Sequence, residues 1–263
     1  MNKLAICCLI LMVVVTGCSY INSTAEKKNI RIMAAASLTE VFNDLKAGFE
    51  SKHHDIKLEI NYAGSQALYS QIKSGVTADL FASANIKYMN QLDEADMVVD
   101  PTIFAHNKLV IAVFKETENI INGIEDLVQK GVELVIADKS VPVGGYTIQM
   151  LNKQVNNPKL SSDYKEKFLD AVISKELDVK SVVAKVELGA ADAGVVYKTD
   201  VNASNLEKVK VVNIKDKYNV IATYPIALLK GHKKGAKKFL NYLYSKEGGR
   251  ILEKHGFIKE SRE

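Results

Sequence analysis

The chain has 263 residues, of which 25% are charged and 47% hydrophobic, and its formal net charge is +4. These values are typical of a folded protein with a sizeable core and exclude a largely disordered chain. The lysines are spread along the sequence, without a basic block interleaved with aromatic residues, so we expect no nucleic-acid partner.

The N-terminal residues predict an export signal, a lipid anchor and a tether. Lys3 precedes an apolar run, 4–15, that is too short for a permanent membrane-spanning helix. The run leads into V-T-G-C, which resembles a bacterial lipobox. We therefore expect residues 1–17 to be a lipoprotein signal peptide and Cys18 to be lipidated, with an ordinary signal peptide as the alternative. Residues 18–29 are polar and aperiodic, which is typical of a tether.

Strand and helix patterns alternate from residue 30 onward. Residues 30–36 are apolar and predict a strand, and apolar residues from Leu38 to Phe49 recur every three or four positions, as on a helix that covers a sheet. Further strands are predicted at 56–62, 79–84, 108–114, 132–138, 193–197, 209–214 and 220–229, and further helices around Leu68 and Ile72, at 86–92, around Ile148, Leu151 and Val155, around Phe168 and Val172, at 179–186 and at 236–243. The alternation predicts an α/β fold of parallel sheets wrapped by helices.

Two serines follow predicted strands in the first half of the chain. Ser37 ends the first strand, and Gly64 and Ser65 follow the second. In open α/β sheets, ligands bind beyond the carboxyl ends of the strands, where hydroxyls and backbone N–H groups of the next helix can contact an anion. The alternative is that Ser37 is only a helix N-cap, with Glu40 completing a capping box.

Three further candidates lie in the second half. The segment 140–147, SVPVGGYT, places a proline and two glycines before a helix, so the Val143 amide can point inward. Asp178 is a predicted N-cap, which makes Val179 the first helical residue and leaves its amide without a helical partner. Tyr197 ends a buried strand and adds a hydroxyl. A plain turn, a capped helix and a core tyrosine are the respective alternatives.

The motifs AASL, YAGS-x-AL, ADLFASA, VPVGGY, DV at a helix start, GVVY-x-x-D, YPIA and HGF occur in this order between about Ile32 and Phe257. Together they resemble the periplasmic molybdate-binding proteins of ABC importers, in the extracellular solute-binding protein family. The resemblance implies a type II periplasmic-binding-protein fold, with two lobes that are each a mixed, mostly parallel sheet flanked by helices. It implies lobe I at 30–110 plus 218–263, and lobe II at 111–217.

Two segments are then expected to cross between the lobes, near 107–114 and 216–222. The resemblance also implies that an oxyanion is held between the lobes by two serines, two backbone amides and a tyrosine. The matching residues are Ser37, Ser65, Val143, Val179 and Tyr197. Alanine is common at the position of Val143, which matters little for a main-chain donor, whereas Gly64 stands where a serine is common and removes one hydroxyl behind the site.

These donors suit a fully deprotonated dianion. Hydroxyls and amides can offset the lost hydration of such an ion without a formal positive charge. The arginines are Arg31, Arg250 and Arg262, so the candidate loops lack the bidentate group that usually binds carboxylates, and Lys139 is the one lysine assigned close to a loop.

We therefore predict a lipid-anchored, extracytoplasmic, monomeric protein that captures molybdate or tungstate for an ABC permease in the membrane. It would need no cofactor and no metal cation. Another oxyanion such as sulfate is the alternative. A hydrolytic enzyme is less favoured because the chain has no recognised catalytic motif and its histidines are scattered. A surface scaffold lipoprotein is the third interpretation.

Overall fold

A computed structural model describes residues 28–129 and 131–260. The predicted signal peptide, Cys18 and most of the predicted tether lie outside the described residues. Among the residues that are described, none of the helices is both long enough and apolar enough to cross a membrane.

Within this part of the chain, strands and helices alternate as the sequence predicts. The strands are β1 (Lys28–Ala35), β2 (Ile56–Ala63), β3 (Leu80–Ala82), β4 (Val98–Phe114), β5 (Leu134–Ala137), β6 (Val172–Glu176), β7 (Ala193–Tyr197), β8 (Val209–Asn213), β9 (Ile221–Leu229) and β10 (Ile258–Lys259). The α-helices are α1 (Thr39–Glu50), α2 (Ser65–Lys73), α3 (Ile86–Glu94), α4 (Pro142–Gln154), α5 (Tyr164–Asp170), α6 (Val179–Glu187), α7 (Lys234–Leu243) and α8 (Lys246–Lys254).

Lobe I is the part of the molecule built on the strand order β2-β1-β3-β9-β4. Strand β1 is parallel to β2 and β3, whereas β9 runs antiparallel to β3 and β4, and β10 pairs with β4. Helix α1 packs on this sheet because its apolar residues recur on one face. Phe42 and Phe49 both meet Phe239 of α7 edge to face, at ring centroid distances of 5.9 Å and 5.5 Å.

Lobe II is built on the remaining strands. Strand β5 is parallel to β6 and β7, and the second part of β4 runs antiparallel to β7 and β8. Helix α6 covers this sheet with a stripe of four buried valines on one helical face, as its sequence predicts: Val179, Val182, Val183 and Val186.

Strand β4 belongs to both lobes. Up to Lys108 it pairs with β9, and from Leu109 onward it pairs with β7 and β8. The chain returns between β8 and β9, where the Asn219 side chain accepts from the Leu109 amide at 3.3 Å and donates to the Leu109 carbonyl at 2.8 Å. The two lobes are therefore joined side by side at these two crossings, and the predicted α/β fold class is confirmed.

Three strand and helix predictions are wrong in detail. Strand β4 begins at Val98 rather than Lys108, because its pairing with β9 continues through register shifts around Pro101 that hide the strand pattern. Val172, predicted on a helix, begins β6, an edge strand whose residues are only half buried or exposed. The predicted stripe on α4 includes Val155, which is 68% exposed beyond the helix, while Met150 is fully buried.

Helix α8 is missing from the sequence prediction. Its sequence, KEGGRILEK, contains two glycines, which disfavour a helix on propensity alone. Gly248 is required by packing, since a Cβ there would run into the carbonyl oxygens of Tyr242 and Leu243 in the preceding helix. Close packing at the junction of α7 and α8 thus overrides helix propensity here.

Candidate functional site

A small cavity lies where the two lobes face each other. Its space between atoms is about 200 Å³ with the open mouth included, and about 10 Å³ of it admits the centre of a water-sized sphere. Its lining residues are Ala35, Ala36, Ser37, Gly64, Ser65, Ala84, Val141, Pro142, Val143, Val179 and Tyr197. All five residues of the predicted ligand set line this one cavity; that they bind a ligand stays a prediction.

The strand order explains why these segments meet. Because β1, β2 and β3 are parallel neighbours, their carboxyl ends lie at one edge of lobe I, and Ser37, Ser65 and Ala84 follow those ends. From lobe II, the first turns of α4 and α6 and the end of β7 face the same space, bringing the lining residues 141–143, Val179 and Tyr197.

Ser37 is not the helix cap that one interpretation of the sequence assigned. It lies in a 3₁₀ turn, Ala36–Leu38, and α1 begins at Thr39 without a side-chain cap, so the capping-box alternative is wrong. Its Oγ instead accepts a hydrogen bond from the Tyr224 hydroxyl at 3.1 Å. Since a hydroxyl has one proton to donate, this contact leaves the proton of Ser37 available to the cavity.

Ser65 has the same arrangement. It is the first residue of α2, and its Oγ accepts from the Ala84 amide at 3.0 Å, with the side chain almost fully buried. The hydroxyl proton and the first-turn amide of Ser65 are both donors that the helix itself cannot satisfy. Each serine oxygen therefore accepts a hydrogen bond from the protein, and each hydroxyl proton remains available to the cavity.

Lobe II contributes main-chain amides from two helix N-termini. Pro142 is the first residue of α4, so the Val143 amide is the first N–H of that helix. Asp178 caps α6 by accepting from the Ser181 amide at 2.9 Å, which confirms it as the N-cap and Val179 as the first helical residue. First-turn amides lack a partner within their helix, and the helix dipole adds positive potential there.

The hydroxyl of Tyr197 is fully buried and, among the described residues, has no hydrogen-bond partner. Its ring packs against Tyr224 and Tyr146, at centroid distances of 5.7 Å and 6.4 Å, so the residue is part of the core as well. Burial raises the pKa of Tyr197 well above its usual value, and neighbouring Tyr224, Tyr146 and Asp200 raise it further. The phenol therefore stays protonated and is available as a donor.

A lysine beside the cavity escaped the sequence analysis, which named Lys139 as the one close to a candidate loop. Lys180 directly follows Val179, and its Nζ lies 2.7 Å from Glu40 Oε2 and 3.5 Å from Asp200 Oδ1. Glu40, Lys180 and Asp200 each follow a predicted ligand residue by one or three positions, and this spacing is visible in the sequence.

The carboxylates of Glu40 and Asp200 favour the charged form of Lys180. Burial acts to lower the pKa of Lys180, but Asp200 and Glu40 outweigh it and the pKa is raised. Burial raises the pKa of Asp200 to about 7, opposed by Lys180 and by the Tyr197 amide. The ammonium is thus committed to carboxylates, and the lining residues of the cavity include no lysine or arginine.

A family model described as a bacterial extracellular solute-binding protein matches residues 30–258. The chain belongs to this family. Its relatives include the putative ABC transporter substrate-binding lipoprotein YvgL of Bacillus subtilis, which is 34% identical over 97% of each chain. The molybdate-binding protein ModA of Mycobacterium tuberculosis is 33% identical over 90% of this chain and 87% of its own.

A solved structure extends the comparison to three dimensions. The substrate-binding domain of a putative molybdenum ABC transporter from Clostridium difficile is 32% identical, with a TM-score of 0.66, over 89% of this chain and 100% of that one. The resemblance drawn from the sequence motifs is therefore confirmed, and so is the type II periplasmic-binding-protein fold.

Two hydrogen bonds join the lobes of this solute-binding protein across the cavity. The side-chain amide of Gln66 donates to the Leu177 carbonyl at 2.7 Å, and the Tyr88 hydroxyl donates to the Ser140 carbonyl at 2.5 Å. Gly64 permits the first contact, because a Cβ there would lie 2.5 Å from the Leu177 carbonyl oxygen. Glycine at 64 is thus explained by the close approach of lobe II.

A larger hollow in lobe I lies at the opposite ends of the strands, near Arg31 and Lys233. Its buried carboxylate, Asp79, already accepts from the backbone amides of Arg31 and Lys233, at 2.8 Å and 2.7 Å. Within the described residues, no group of three or more His, Cys, Asp or Glu side chains is placed to hold a metal ion. The cavity between the lobes is therefore the candidate site.

Proposed function

We propose that this solute-binding protein captures molybdate or tungstate and delivers it to an ABC permease. One observation carries the proposal: hydroxyl and amide donors from both lobes converge on one small cavity whose lining residues carry no lysine or arginine. Such a cavity suits an ion that accepts hydrogen bonds on every side.

The number of donors matches a tetrahedral dianion. An enclosed dianion loses its hydration, and donors already in place must offset that loss. The two serine hydroxyls and their amides, the amides of Val143 and Val179, and the Tyr197 phenol make about seven donors, close to what four charged oxygens can accept. Bonds to a charged acceptor contribute about 1.5–3 kcal/mol each.

The site also selects against a protonated anion. Monohydrogen phosphate carries a proton that needs an acceptor, whereas the main-chain amides of Val143 and Val179 can only donate. The oxygens of Ser37 and Ser65 each already accept one hydrogen bond, from Tyr224 and Ala84. An unpaired donor facing that proton would cost about 1–3 kcal/mol. The space open to the centre of a water-sized sphere is about 10 Å³, far below the roughly 300–1,000 Å³ of drug-sized pockets, which disfavours large organic ligands.

The relatives favour molybdenum among the remaining anions. One at 33% identity is named a molybdate-binding protein, and a solved structure at 32% identity is described as part of a putative molybdenum transporter. The relative named a putative lipoprotein supports a lipid anchor on Cys18, and hence an extracytoplasmic protein held at the membrane surface. We propose that it acts as a monomer without a cofactor.

Titration calorimetry tests the proposal, using residues 20–263 with molybdate, tungstate, sulfate and phosphate. We expect heat with molybdate and tungstate and none with phosphate. Heat with sulfate alone would move the assignment to a sulfate-binding protein. No heat with any of the four would end the oxyanion proposal.

A thermal shift assay separates a binder from a scaffold, and an activity assay separates it from a hydrolase. At a hundredfold excess of molybdate over Kd, binding to the folded state alone should stabilise it by about 2.7 kcal/mol. A scaffold lipoprotein would show no shift, and a hydrolase would turn over generic esters or phosphates.

A further inference from the structure

A charged bridge joins the two lobes beside the cavity. The Lys180 ammonium on α6 of lobe II donates to both carboxylate oxygens of Glu40 on α1 of lobe I, at 2.9 Å and 2.7 Å. The same ammonium lies 3.5 Å from Asp200, which follows β7 in lobe II. Lys180 therefore has one carboxylate partner in each lobe.

The bridge is anchored to the segments that carry the predicted ligand residues. Lys180 is next to Val179, and Asp200 Oδ2 accepts from the Tyr197 amide at 3.1 Å. Glu40 lies in the first turn of α1, three residues after Ser37. Movement of α1 away from α6 would separate Ser37 from the amide of Val179 and would break the bridge in the same step.

The two ion pairs of the bridge, Lys180 with Glu40 and Lys180 with Asp200, differ in burial. Asp200 is fully buried, whereas the side chains of Lys180 and Glu40 are 29% and 41% exposed. Opening of the lobes would leave Lys180 paired with Asp200 in lobe II, while Glu40 would pass to solvent. Only the ion pair between Lys180 and Glu40 therefore depends on closure of the lobes.

We propose that Lys180 is a positioning residue that holds the lobes closed through Glu40 and thereby sets the rate at which the anion is released. The inference rests on the proposed function. The ammonium does not itself bind the anion, because it donates to both oxygens of Glu40, lies 3.5 Å from Asp200 Oδ1 and is not among the residues that line the cavity. Its effect is expected on dissociation, since the contact forms after the anion has entered and must break before it leaves.

Helix α6 provides a matched control. Lys185 lies on the same helix and pairs with Glu176 at 2.7 Å, but both residues belong to lobe II. Substitution of Lys185 removes an ion pair of the same length without changing the contact between the lobes.

The experiment measures molybdate binding by stopped-flow tyrosine fluorescence, because the chain contains no tryptophan. The slope of the observed rate against molybdate concentration gives the association rate constant, and the intercept gives the dissociation rate constant. We expect Glu40→Gln to raise the dissociation rate constant by about fivefold, the upper end for a partly exposed ion pair, with association changed less than twofold. Lys185→Gln should leave both constants at wild-type values.

Glu40→Gln is the decisive variant because it leaves Asp200 paired with Lys180. Lys180→Arg, which keeps the charge, should release molybdate at close to the wild-type rate, whereas Lys180→Met should release it at least as fast as Glu40→Gln. Dissociation from Glu40→Gln within twofold of wild type, or an equal rise in Lys185→Gln, would overturn the inference alone. Absence of any molybdate signal with the wild-type protein would overturn the proposed function, and the inference with it.

Discussion

The two walls of the cavity are built differently. Lobe I offers serine hydroxyls whose oxygens are already held by Tyr224 and Ala84, so their protons are oriented by the lobe itself. Lobe II offers amides at helix N-termini and the Tyr197 hydroxyl, which has no partner among the described residues. Donors on the first wall thus depend on side-chain identity, while most of those on the second depend on the backbone and tolerate a change of side chain.

The largest effect is expected where a backbone donor can be deleted. Val179 is the first residue of α6, a position that accepts proline, and Asp178 before it already has the extended conformation that a following proline requires. Val179→Pro replaces the amide proton with a methylene group at the cavity. We expect molybdate affinity to fall by about 3 kcal/mol, roughly a hundredfold or more, in titration calorimetry.

Val179→Ala is the control for that change, because it trims the same buried side chain and keeps the amide. Its affinity should remain close to wild type. Equal losses in the two variants would mean that the side chain of Val179, rather than its amide, matters.

The hydroxyls of lobe I come next. Ser37→Ala and Ser65→Ala should each weaken binding by about 1.5–3 kcal/mol, the range for hydrogen bonds to a charged group. Ser70→Ala is the control, since Ser70 lies on α2 but its hydroxyl donates to the Gln66 carbonyl. Wild-type affinity in both Ser37→Ala and Ser65→Ala would show that the two serines are structural.

A smaller effect is expected at the phenol of lobe II. Tyr197→Phe should weaken molybdate binding by about 1.5 kcal/mol, roughly tenfold, because one donor is lost. The ligand-free protein should melt at the same temperature or higher, since the substitution removes a buried hydroxyl that lacks a partner. A lower melting temperature with unchanged affinity would assign Tyr197 to the core alone.

The smallest effect tests the contact between the walls. Gly64→Ala places a Cβ close to the Leu177 carbonyl of lobe II, so it should hinder closure and weaken binding by about 1 kcal/mol, roughly fivefold. Stability of the ligand-free protein should change little. Gly145→Ala, where a Cβ finds only an ordinary contact with Lys139, is the matched control and should bind like wild type.

The sequence predicts the positions that line the cavity better than the long-range contacts between them. Strand ends followed by small residues and a helix are visible in the pattern, so the cavity-lining positions Ser65 and Val179 can be located without coordinates. The hydrogen bond from Tyr224 to Ser37 joins residues 187 positions apart and leaves no trace in local spacing. The contact between Lys180 and Glu40 is hidden for the same reason, because it exists only when the two lobes meet.

The elements missed by the sequence analysis share a physical cause. Strand β6 lies at a sheet edge and buries little, so its apolar pattern is weak. Helix α8 contains Gly248, which the carbonyls of Tyr242 and Leu243 require, so its propensity contradicts its conformation. Periodicity reports burial on one face of an element and fails where packing, rather than pattern, decides the structure.

A crystal structure of the protein grown with molybdate tests the central claim most directly, because the anomalous signal of molybdenum locates the anion without ambiguity. The account predicts one molybdenum peak between the lobes, with its oxygens about 2.7–3.2 Å from hydroxyls and amides on both walls. The expected donors are Ser37, Ser65, Val143, Val179 and Tyr197. A molybdenum peak elsewhere, or an anion held by lysine or arginine side chains, would contradict it.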